Sequence, residues 1–467
     1  MIVYKVYAMR RVMTIGGSDC SGGAGIQADI KTFSALGVYG TSVITAVTAQ
    51  NASGVQAKHE VPVELVESQI QSIMSEASAK GITVDYAKTG MLYSSAMIET
   101  VAKQLKRHKI PFVVDPVMKA GSGGILLADP ALNTLVKLLL PICEVVTPNV
   151  PEASVISGLE IRNKEDAKDA ARKIHELGAS AVIIKGGHLT QETAAGKATD
   201  LIYDGEFEEL SGEYIKPGKG KIIHGAGCSF SAALTAALAK GENLRHAAAS
   251  AKKFVHDAIA GGEVLSNMIV LNQARELRKN ADRYFVLENV KEAVRKLKSI
   301  PDFKRLVPEV GTNIGMAIEG AESERDVAAV DGRIVSAKEG THAEAVDFGV
   351  SSHVARMILA MMAMTGGKNI RSAINIKYSV QIVDACKRAG FVISSFEREH
   401  EPRGVKTMDW GVREAIKNLS SEGLRRRQVP DVIYDLGAVG KEPMTRIFGD
   451  TALEVVEKVN KIIDALE

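Results

Sequence analysis

The four residues Gly225-Ala226-Gly227-Cys228 could do chemistry, because two glycines place a thiol at the start of an apolar helical run. The run continues to Lys240 and stops at Gly241, as helices commonly do. Unpaired N–H groups in the first turn of a helix attract anions, and the same field lowers the pKa of a thiol. The sequence therefore predicts an anion site in which Cys228 is a thiolate that acts as base or electrostatic partner. The alternative is a glycine-rich turn before a packed helix with an inert cysteine.

A second glycine cluster, GGSDCSGGAG at residues 16–25, lies between an apolar strand at 12–15 and a helical run at 26–36. A strand, a glycine-rich turn and a helix form a unit that brings backbone close to a ligand. The spacing differs from a dinucleotide fingerprint, and no Lys-Ser or Lys-Thr follows the glycines as in a Walker A loop. The cluster thus predicts a ligand-binding turn of a different kind.

Five motifs in this order resemble hydroxymethylpyrimidine/phosphomethylpyrimidine kinase, a branch of the ribokinase-like superfamily. They are GGSDCSGGAGIQAD at 16–29, TAVTAQN at 45–51, DPVM at 115–118, TPN at 147–149 with Glu152, and GAGC at 225–228. The resemblance covers roughly the first 270 residues. It implies ATP-dependent phosphorylation of an aminopyrimidine alcohol and of its monophosphate, with Mg²⁺ as the metal. Superfamily members usually carry Asp where this chain has Cys228, and the pyrimidine kinases carry Cys.

The resemblance also implies which residues bind the pyrimidine. Gln50 is expected to contact the ring, because a carboxamide offers a donor and an acceptor to a ring nitrogen beside an exocyclic amine. Gly17, Asp29 and Met91 are expected to line the same pocket. A pyridoxal-type kinase is the alternative, and Gln50 together with the Gly-Gly-Ser-Asp block favours the pyrimidine.

On the nucleotide side, the resemblance assigns phosphate binding to Asn149, Lys185 and the glycine turn Gly225, Ala226 and Gly227. Asp115 and Glu152 are expected to hold the metal, because Mg²⁺ takes carboxylate oxygens and waters. Without the resemblance, Asn-x-x-Glu is typical of a helix cap and Asp-Pro of a turn.

Two further features belong to this region. KAGSGG at residues 119–124 corresponds to the mobile flap of these kinases and would exclude water from the transfer. His188 and His224 are interpreted as ordinary loop histidines.

The elements that must position these residues alternate along the first part of the chain. Apolar runs at 112–114, 145–146 and 181–184 are separated by amphipathic stretches such as 164–177. This alternation predicts a largely parallel sheet covered on both faces. With the resemblance, it implies a ribokinase-like three-layer α/β/α domain at residues 1–275. A boundary is expected near residue 280, within a long charged helical region.

Residues 285–467 form a second predicted domain, a smaller α/β unit. Its motifs resemble the ThiN-type thiamine-phosphate synthase, which occurs fused behind the pyrimidine kinase. They are VPEVGTNIGMA at 307–317, DVAAVDGR at 326–333, FGVSSH at 348–353, RSAINIKY at 371–378, FER at 396–398 with EP at 401–402, and GKEP at 440–443.

The chemistry that the second resemblance implies needs no strong base. The pyrimidine diphosphate loses diphosphate, and the nitrogen of thiazole phosphate attacks the methylene carbon. Such a site needs cations and N–H donors for polyanions. Arg333, after a glycine, and His353, at an expected helix start, are the predicted catalytic pair. A structural salt bridge is the alternative for each basic residue, and a thiamine-phosphate sensor is the alternative for the domain.

Composition agrees with a two-domain enzyme. The 467 residues exceed what one core normally holds, and 46% are hydrophobic. The net charge of +2 argues against nucleic-acid or membrane partners, so the expected partners are small molecules and a second copy of the chain in a dimer. Four scattered cysteines predict neither disulfides nor a zinc site. The N-terminus lacks signal-peptide character, so the expected location is the cytoplasm.

Overall fold

In the computed structural model the chain divides into two compact units, Met1–Glu276 and Leu277–Glu467. The structure describes residues 9–79, 83–119, 124, 126–127, 129–187, 193–337, 340–366, 370–402, 407–421 and 429–466. Each unit is organised around its own central sheet with apolar cores on both faces. The domain ranges given by the sequence analysis stay a prediction that fragments can test.

The first unit is built on a nine-stranded sheet in the order β3-β2-β1-β4-β5-β6-β7-β8-β9. Its central strands, β1, β2 and β4 to β7, pair in parallel. The pairings β2–β3 at one edge and β7–β8 and β8–β9 at the other are antiparallel. The strands are β1 (Arg11–Asp19), β2 (Tyr39–Asn51), β3 (Gly54–Glu60), β4 (Tyr86–Thr89), β5 (Phe112–Val114), β6 (Val145–Val146), β7 (Ala181–Ile184), β8 (Lys197–Tyr203) and β9 (Phe207–Glu213). A small second sheet contains β10 (Ile222–His224), β11 (Glu263–Leu265) and β12 (Met268–Val270).

Helices cover both faces of the large sheet. They are α1 (Gly25–Ala35), α2 (Val63–Ala79), α3 (Ser95–His108), α4 (Asp129–Thr134), α5 (Val150–Ser157), α6 (Lys164–Glu176), α7 (Ala226–Ala239) and α8 (Leu244–Ala260). Successive strand residues point to opposite faces. Val146 packs in the core with α3, α5 and α6, whereas Val145 packs in the core with α1, α7 and α8. The predicted three-layer, largely parallel architecture is therefore confirmed.

The second unit contains a seven-stranded mixed sheet in the order β17-β14-β13-β18-β21-β20-β19, in which only β19 and β20 pair in parallel. Its strands are β13 (Ile314–Ala317), β14 (Val327–Val330), β17 (Val346–Phe348), β18 (Ser372–Lys377), β19 (Ile393–Ser395), β20 (Val432–Asp435) and β21 (Met444–Gly449). A two-stranded ribbon is formed by β15 (Val335–Ser336) and β16 (Thr341–His342).

Among its described residues, the second unit has five α-helices: α9 (Arg275–Ser299), α10 (Ser352–Thr365), α11 (Val380–Arg388), α12 (Thr407–Ser421) and α13 (Ala452–Asp464). Side chains from α9, α11 and α13 share one apolar core, and those from α10 and α12 share the other. This is the smaller α/β unit that the sequence predicts. Among the described residues of the chain, no helix is both long enough and apolar enough to span a lipid bilayer.

A chain divided after Glu276 should give two fragments that fold separately, because each unit has its own core. The buried residues Val286 and Val290 of α9 pack with the second unit, so this helix belongs with the second fragment. Circular dichroism and thermal unfolding of each purified fragment should show native secondary structure and a cooperative transition. A fragment without such a transition, beside an intact chain that has one, would contradict the division.

Candidate functional site

A cavity of about 930 Å³ lies in the first unit. It is lined by every residue that the sequence analysis assigned to the first site: Gly17, Asp29, Gln50, Met91, Asp115, Asn149, Glu152, Lys185, Gly225, Ala226, Gly227 and Cys228. The structure thus brings together residues that lie up to 211 positions apart. Their individual roles stay predictions.

The parallel sheet explains why these residues meet. Asp115 follows β5, Asn149 comes soon after β6, and Lys185 follows β7 directly. The carboxyl ends of parallel strands lie at one edge of a sheet, which is where open α/β folds bind ligands. A single bridge between Asn149 and Lys185 continues the pairing of β6 and β7 to this edge.

Four buried charged residues, Asp29, Lys88, Asp115 and Lys185, form what we call the buried charge cluster. The Nζ of Lys88 lies 2.8 Å from Asp29 Oδ1 and 3.9 Å from Asp115 Oδ2. The Nζ of Lys185 lies 3.1 Å from Asp115 Oδ1. Two hydroxyls complete the arrangement, with Thr14 Oγ1 donating to Asp29 at 2.6 Å and Ser231 Oγ donating to Asp115 at 3.2 Å. The cluster therefore pairs two lysine side chains with two aspartate side chains.

Ion pairing sets the protonation of this cluster. Burial by itself would lower the pKa of Lys88, but the Asp29 carboxylate raises it above its ordinary value. Burial would raise the pKa of Asp115, but the Lys185 ammonium holds it below its usual range. Both lysines and Asp115 are charged at neutral pH as a result.

Lys88 is a cavity residue that the sequence analysis missed. Its side chain is only 1% exposed and lies on β4, two residues before Gly90. A lysine inside a four-residue strand whose residues are all buried was the available signal, because a fully buried ammonium needs a partner.

The start of α7, where the sequence predicts an anion site, has the backbone geometry that such a site needs. Gly225 precedes the helix with a φ of 86°, and no side chain caps this end. The first intrahelical bond runs from Ser229 N to Gly225 O at 2.9 Å, so the N–H groups of residues 226–228 are available to a ligand. A Cβ atom on Gly227 would stand 3.3 Å from Lys185 Nζ, which places an ammonium beside these donors.

The predicted low pKa of Cys228 is wrong. Burial raises the pKa of its thiol to about 12, and the neighbouring carboxylates of Asp115 and Asp29 raise it further. Lys88 and the backbone N–H of Gly25 lower it, but by less. A helix N-terminus contributes typically about 0.3–1 kcal/mol, less than one pKa unit, so burial dominates.

Close packing shapes the opposite end of the cavity. A Cβ atom on Gly17 would stand 2.9 Å from Met91 Sδ, so a larger residue at position 17 would displace the thioether. The backbone N–H of Gln50 donates to Cys20 Sγ at 3.4 Å, which joins β2 to the glycine cluster. Gly17, Met91 and Gln50 all line the cavity.

Asn149 and Glu152 also form a helix cap, which was the alternative interpretation of this motif. The Asn149 side chain accepts from Glu152 N at 2.9 Å, and Glu152 Oε2 accepts from Asn149 N at 2.8 Å. Burial raises the pKa of Glu152 to about 7. Within the described parts of the chain, no group of three or more His, Cys, Asp or Glu could hold a metal by itself.

The predictions for the flap and for the two loop histidines have different outcomes. Lys119 lines the cavity, but residues 120–123 of the predicted flap and His188 lie outside the described residues. His224 is not an ordinary loop histidine, because it ends β10, is 3% exposed and lies 2.9 Å through Nε2 from Asp19 Oδ2. The pairing joins residues 205 positions apart, which no local pattern reveals.

In the second unit, His353 lies in the first turn of α10, whose N-cap Ser351 makes no side-chain cap. Burial lowers the pKa of His353 to about 4, and four guanidinium groups lower it too. We call these four groups the arginine cluster: Arg333, Arg356, Arg398 and Arg446. The imidazole is therefore neutral at pH 7. The structure thus places the predicted residues Arg333 and His353 in one electrostatic neighbourhood.

The carboxylates near the arginine cluster leave it positively charged. Arg398 Nε lies 2.5 Å and Arg446 Nη2 lies 2.7 Å from Asp435, so two guanidinium groups share one carboxylate. Arg446 and Asp435 are fully buried, and Arg446 Nε has no hydrogen-bond partner within the described residues. Arg356 pairs with Glu324 at 2.7 Å. Arg333 has no carboxylate at ion-pair distance in the described part of the chain. This arrangement can bind an anion.

The two units match two known families. Residues 19–270 match the family described as phosphomethylpyrimidine kinase, and residues 289–461 match thiamine-phosphate synthase ThiN. Over 464 residues the chain is 32% identical to the bifunctional thiamine biosynthesis protein ThiDN of Methanocaldococcus jannaschii, covering 97% of this chain and 98% of that protein. Over 261 residues it is 45% identical to hydroxymethylpyrimidine/phosphomethylpyrimidine kinase of Bacillus subtilis, covering 56% of this chain and 90% of that protein.

Solved structures support the fold of the first unit. The pyridoxal kinase from Staphylococcus aureus in complex with ADP has a TM-score of 0.52 at 37% identity, covering 58% of this chain and 95% of that one. An ADP complex of Bacillus subtilis pyridoxal kinase has a TM-score of 0.51 at 38% identity, covering 58% and 99%. The predicted ribokinase-like fold of the first unit is confirmed.

The raised pKa of Cys228 predicts slow alkylation, because only the thiolate reacts. With iodoacetamide at pH 7.5 and no ligand, peptide mass spectrometry should find the exposed Cys20 modified while Cys228 remains largely intact. The Cys228 rate should rise about tenfold per pH unit between pH 8 and 10. A Cys20→Ser variant shows whether alkylation of Cys20 sterically blocks iodoacetamide from Cys228. Equal rates at pH 7.5 would contradict the raised pKa.

Proposed function

We propose how the two sites of this chain divide the reactions of its family. The chain belongs to the phosphomethylpyrimidine kinase family and has a ThiN thiamine-phosphate synthase domain behind the kinase. It is a bifunctional enzyme of thiamine biosynthesis that phosphorylates hydroxymethylpyrimidine and its monophosphate, and then makes thiamine phosphate. The observation that carries this function is the similarity over 464 residues to a bifunctional relative, which includes both units in the same order. A pyridoxal-type kinase with a sensing domain is not favoured, because it does not account for that relative.

For the kinase, we propose that the hydroxymethyl oxygen of the pyrimidine attacks the γ-phosphorus of ATP at the start of α7. The bond from this phosphorus to the β-γ bridging oxygen breaks, and ADP leaves. The N–H groups of residues 226–228 and the ammonium of Lys185 face the transferred group and stabilise its negative charge. Asn149 borders the same phosphates, and Gln50, Gly17, Asp29 and Met91 surround the pyrimidine.

Mg²⁺ is the metal we propose for this step. The residues fit this metal, because the carboxylates of Asp115 and Glu152 line the same cavity and offer oxygen ligands. Mg²⁺ is commonly held by one or two carboxylates together with substrate phosphates and water. The raised pKa of Glu152 agrees with a position that a cation would stabilise in its ionised form. When bound, the ion neutralises phosphate charge. Lys88 and Lys185 meanwhile hold Asp29 and Asp115 in place.

Cys228 is the proposed proton acceptor for the attacking hydroxyl, or its electrostatic partner. Burial raises the pKa of its thiol to about 12, so Cys228 must release its own proton to solvent before it can accept one from the hydroxyl. The nearby Lys88 ammonium favours the thiolate. The hydroxyl proton then passes to Cys228 Sγ as the oxygen attacks phosphorus.

For the synthase, we propose that the arginine cluster binds the diphosphate that leaves the pyrimidine. The carbon–oxygen bond to diphosphate breaks, and the thiazole nitrogen supplies the electron pair of the new carbon–nitrogen bond. Arg333 has no competing carboxylate among the described residues and can bind the polyanion directly. His353 is neutral, so it contributes a hydrogen bond, and the polyanion raises its pKa. Dimer formation stays a prediction.

Cys228→Ala and Cys228→Ser variants should distinguish a proton acceptor from a hydrogen-bonding group. Loss of general-base assistance costs roughly 10²–10⁴-fold in rate, so both variants should lose kcat in that range with pyrimidine KM little changed. The measurement is ATP-dependent phosphorylation of hydroxymethylpyrimidine. Full activity in the alanine variant would remove Cys228 from the mechanism, and activity of the serine variant alone would favour hydrogen bonding.

Arg333→Ala and His353→Ala should each reduce synthesis of thiamine phosphate by roughly 10²–10³-fold, because each removes a group that stabilises the leaving diphosphate. The intact chain is assayed with hydroxymethylpyrimidine, thiazole phosphate, ATP and Mg²⁺, and again with supplied pyrimidine diphosphate. Phosphorylation of the pyrimidine by the same variants is the internal control and should be unchanged. Wild-type synthase rates would exclude this pair of residues, and an inactive wild-type synthase would favour the sensor.

A further inference from the structure

Asp19 accepts several hydrogen bonds from the glycine turn that follows β1. Its carboxylate is 3% exposed and accepts from Ser21 N at 2.9 Å, from Ser21 Oγ at 2.8 Å and from Ala24 N at 2.8 Å. Burial would raise its pKa, but the hydrogen bonds from His224 and Ser21 hold this pKa well below the usual range. Asp19 is therefore ionised, and each partner must supply a hydrogen.

The contact with His224 connects this turn to the anion site. His224 Nε2 lies 2.9 Å from Asp19 Oδ2, and both side chains are almost fully buried. Because an ionised carboxylate can only accept, Nε2 carries the hydrogen. His224 directly precedes Gly225, so the bond fixes the residue before the first N–H groups of α7.

The backbone of the glycine turn also packs closely against the backbone that precedes α7. A Cβ atom on Gly225 would stand 1.8 Å from Gly23 O, and one on Gly23 would stand 2.4 Å from His224 Cδ2. Neither position tolerates a side chain without movement of backbone or of the buried imidazole. The turn also reaches the thiol, because the N–H of Gly25 faces Cys228 and lowers its pKa.

The glycine turn also meets the pyrimidine side of the cavity. The backbone N–H of Gln50 donates to Cys20 Sγ at 3.4 Å, and the Cys20 thiol lies 3.4 Å from the Gln50 carbonyl oxygen. Cys20 directly follows Asp19, and the Gln50 carboxamide lowers the pKa of the Asp19 carboxylate. The turn that Asp19 holds is thus joined both to the proposed pyrimidine-binding residue and to the histidine before the anion site.

Resting on the proposed kinase function, we propose that Asp19 and His224 are positioning residues that hold the pyrimidine end of the cavity in register with the phosphoryl-transfer end. The pair makes the glycine turn and the start of α7 one rigid body. Its loss would leave both ligands bound but misplaced. A misplacement of about 1 Å at a reacting centre can cost about 10²-fold in rate.

The test compares Asp19→Asn, His224→Phe and His224→Gln in the full chain. Asparagine keeps the size of Asp19 but removes its charge, phenylalanine keeps a ring without N–H, and glutamine offers an amide N–H near the position of Nε2. We expect kcat for hydroxymethylpyrimidine to fall about 10²-fold in the first two variants while KM for ATP changes less than about threefold. His224→Gln should recover at least about tenfold over His224→Phe.

Three controls separate positioning from folding and from the proposed function. Ser21→Ala removes one donor to Asp19 and keeps His224 and Gln50, so it should stay within about threefold of wild type. Because the synthase unit is expected to fold separately, folding of the kinase unit is checked by circular dichroism and by the melting transition of residues 1–276 carrying each substitution. Phosphorylation by the wild-type chain in the same assay tests the proposed function itself.

The outcomes are distinct. Near-wild-type kcat in a folded Asp19→Asn chain, or glutamine no better than phenylalanine at position 224, overturns the positioning role while the kinase function stands. A merely structural role would lower the melting temperature without rescue by glutamine. If His224→Phe does not fold, the isosteric Asp19→Asn variant decides. A wild-type chain that does not phosphorylate the pyrimidine overturns the proposed function first.

Discussion

The kinase cavity depends on the pairing of buried opposite charges. Lys88 is almost fully buried between Asp29 and Asp115, and Lys185 holds the second oxygen of Asp115. Removing one member of such a group leaves an uncompensated charge in a low-dielectric interior, which typically costs about 3–5 kcal/mol. The cluster therefore fixes strand ends β4, β5 and β7 relative to α1. Its carboxylates also add to the effect of burial, which is the main cause of the raised pKa of Cys228.

The arginine cluster of the second unit, by contrast, has an excess of positive charge. Arg398 and Arg446 share the single carboxylate of Asp435, and Arg333 has no carboxylate partner among the described residues. An excess of buried positive charge is stable only when an anion or water compensates it. The cavity of the first unit thus pairs two lysines with two aspartates, whereas the arginine cluster has more guanidinium groups than carboxylate partners among the described residues. This difference agrees with the proposed chemistry, in which one site transfers a phosphoryl group and the other releases diphosphate.

Much of the first site could be predicted because glycine turns and strand ends are local patterns. The motifs around Gly17, Asp115 and Gly225 each follow or precede a short apolar strand, and a parallel sheet brings such ends to one edge. Lys88 and His224 were missed or misinterpreted, because nothing near them in sequence marks their partners. Asp29 lies 59 positions from Lys88, and Asp19 lies 205 positions from His224.

The sequence by itself determined the order of strands and helices, the glycine turns and the chemical types available at each site, because these depend on residues within a few positions of one another. Only the tertiary structure decided which of those groups are charged. Burial raises the pKa of Cys228, against what its position at a helix start would suggest, and it lowers the pKa of His353. Desolvation and long-range pairing depend on what packs around a group from distant segments, and that information exists only in the folded chain.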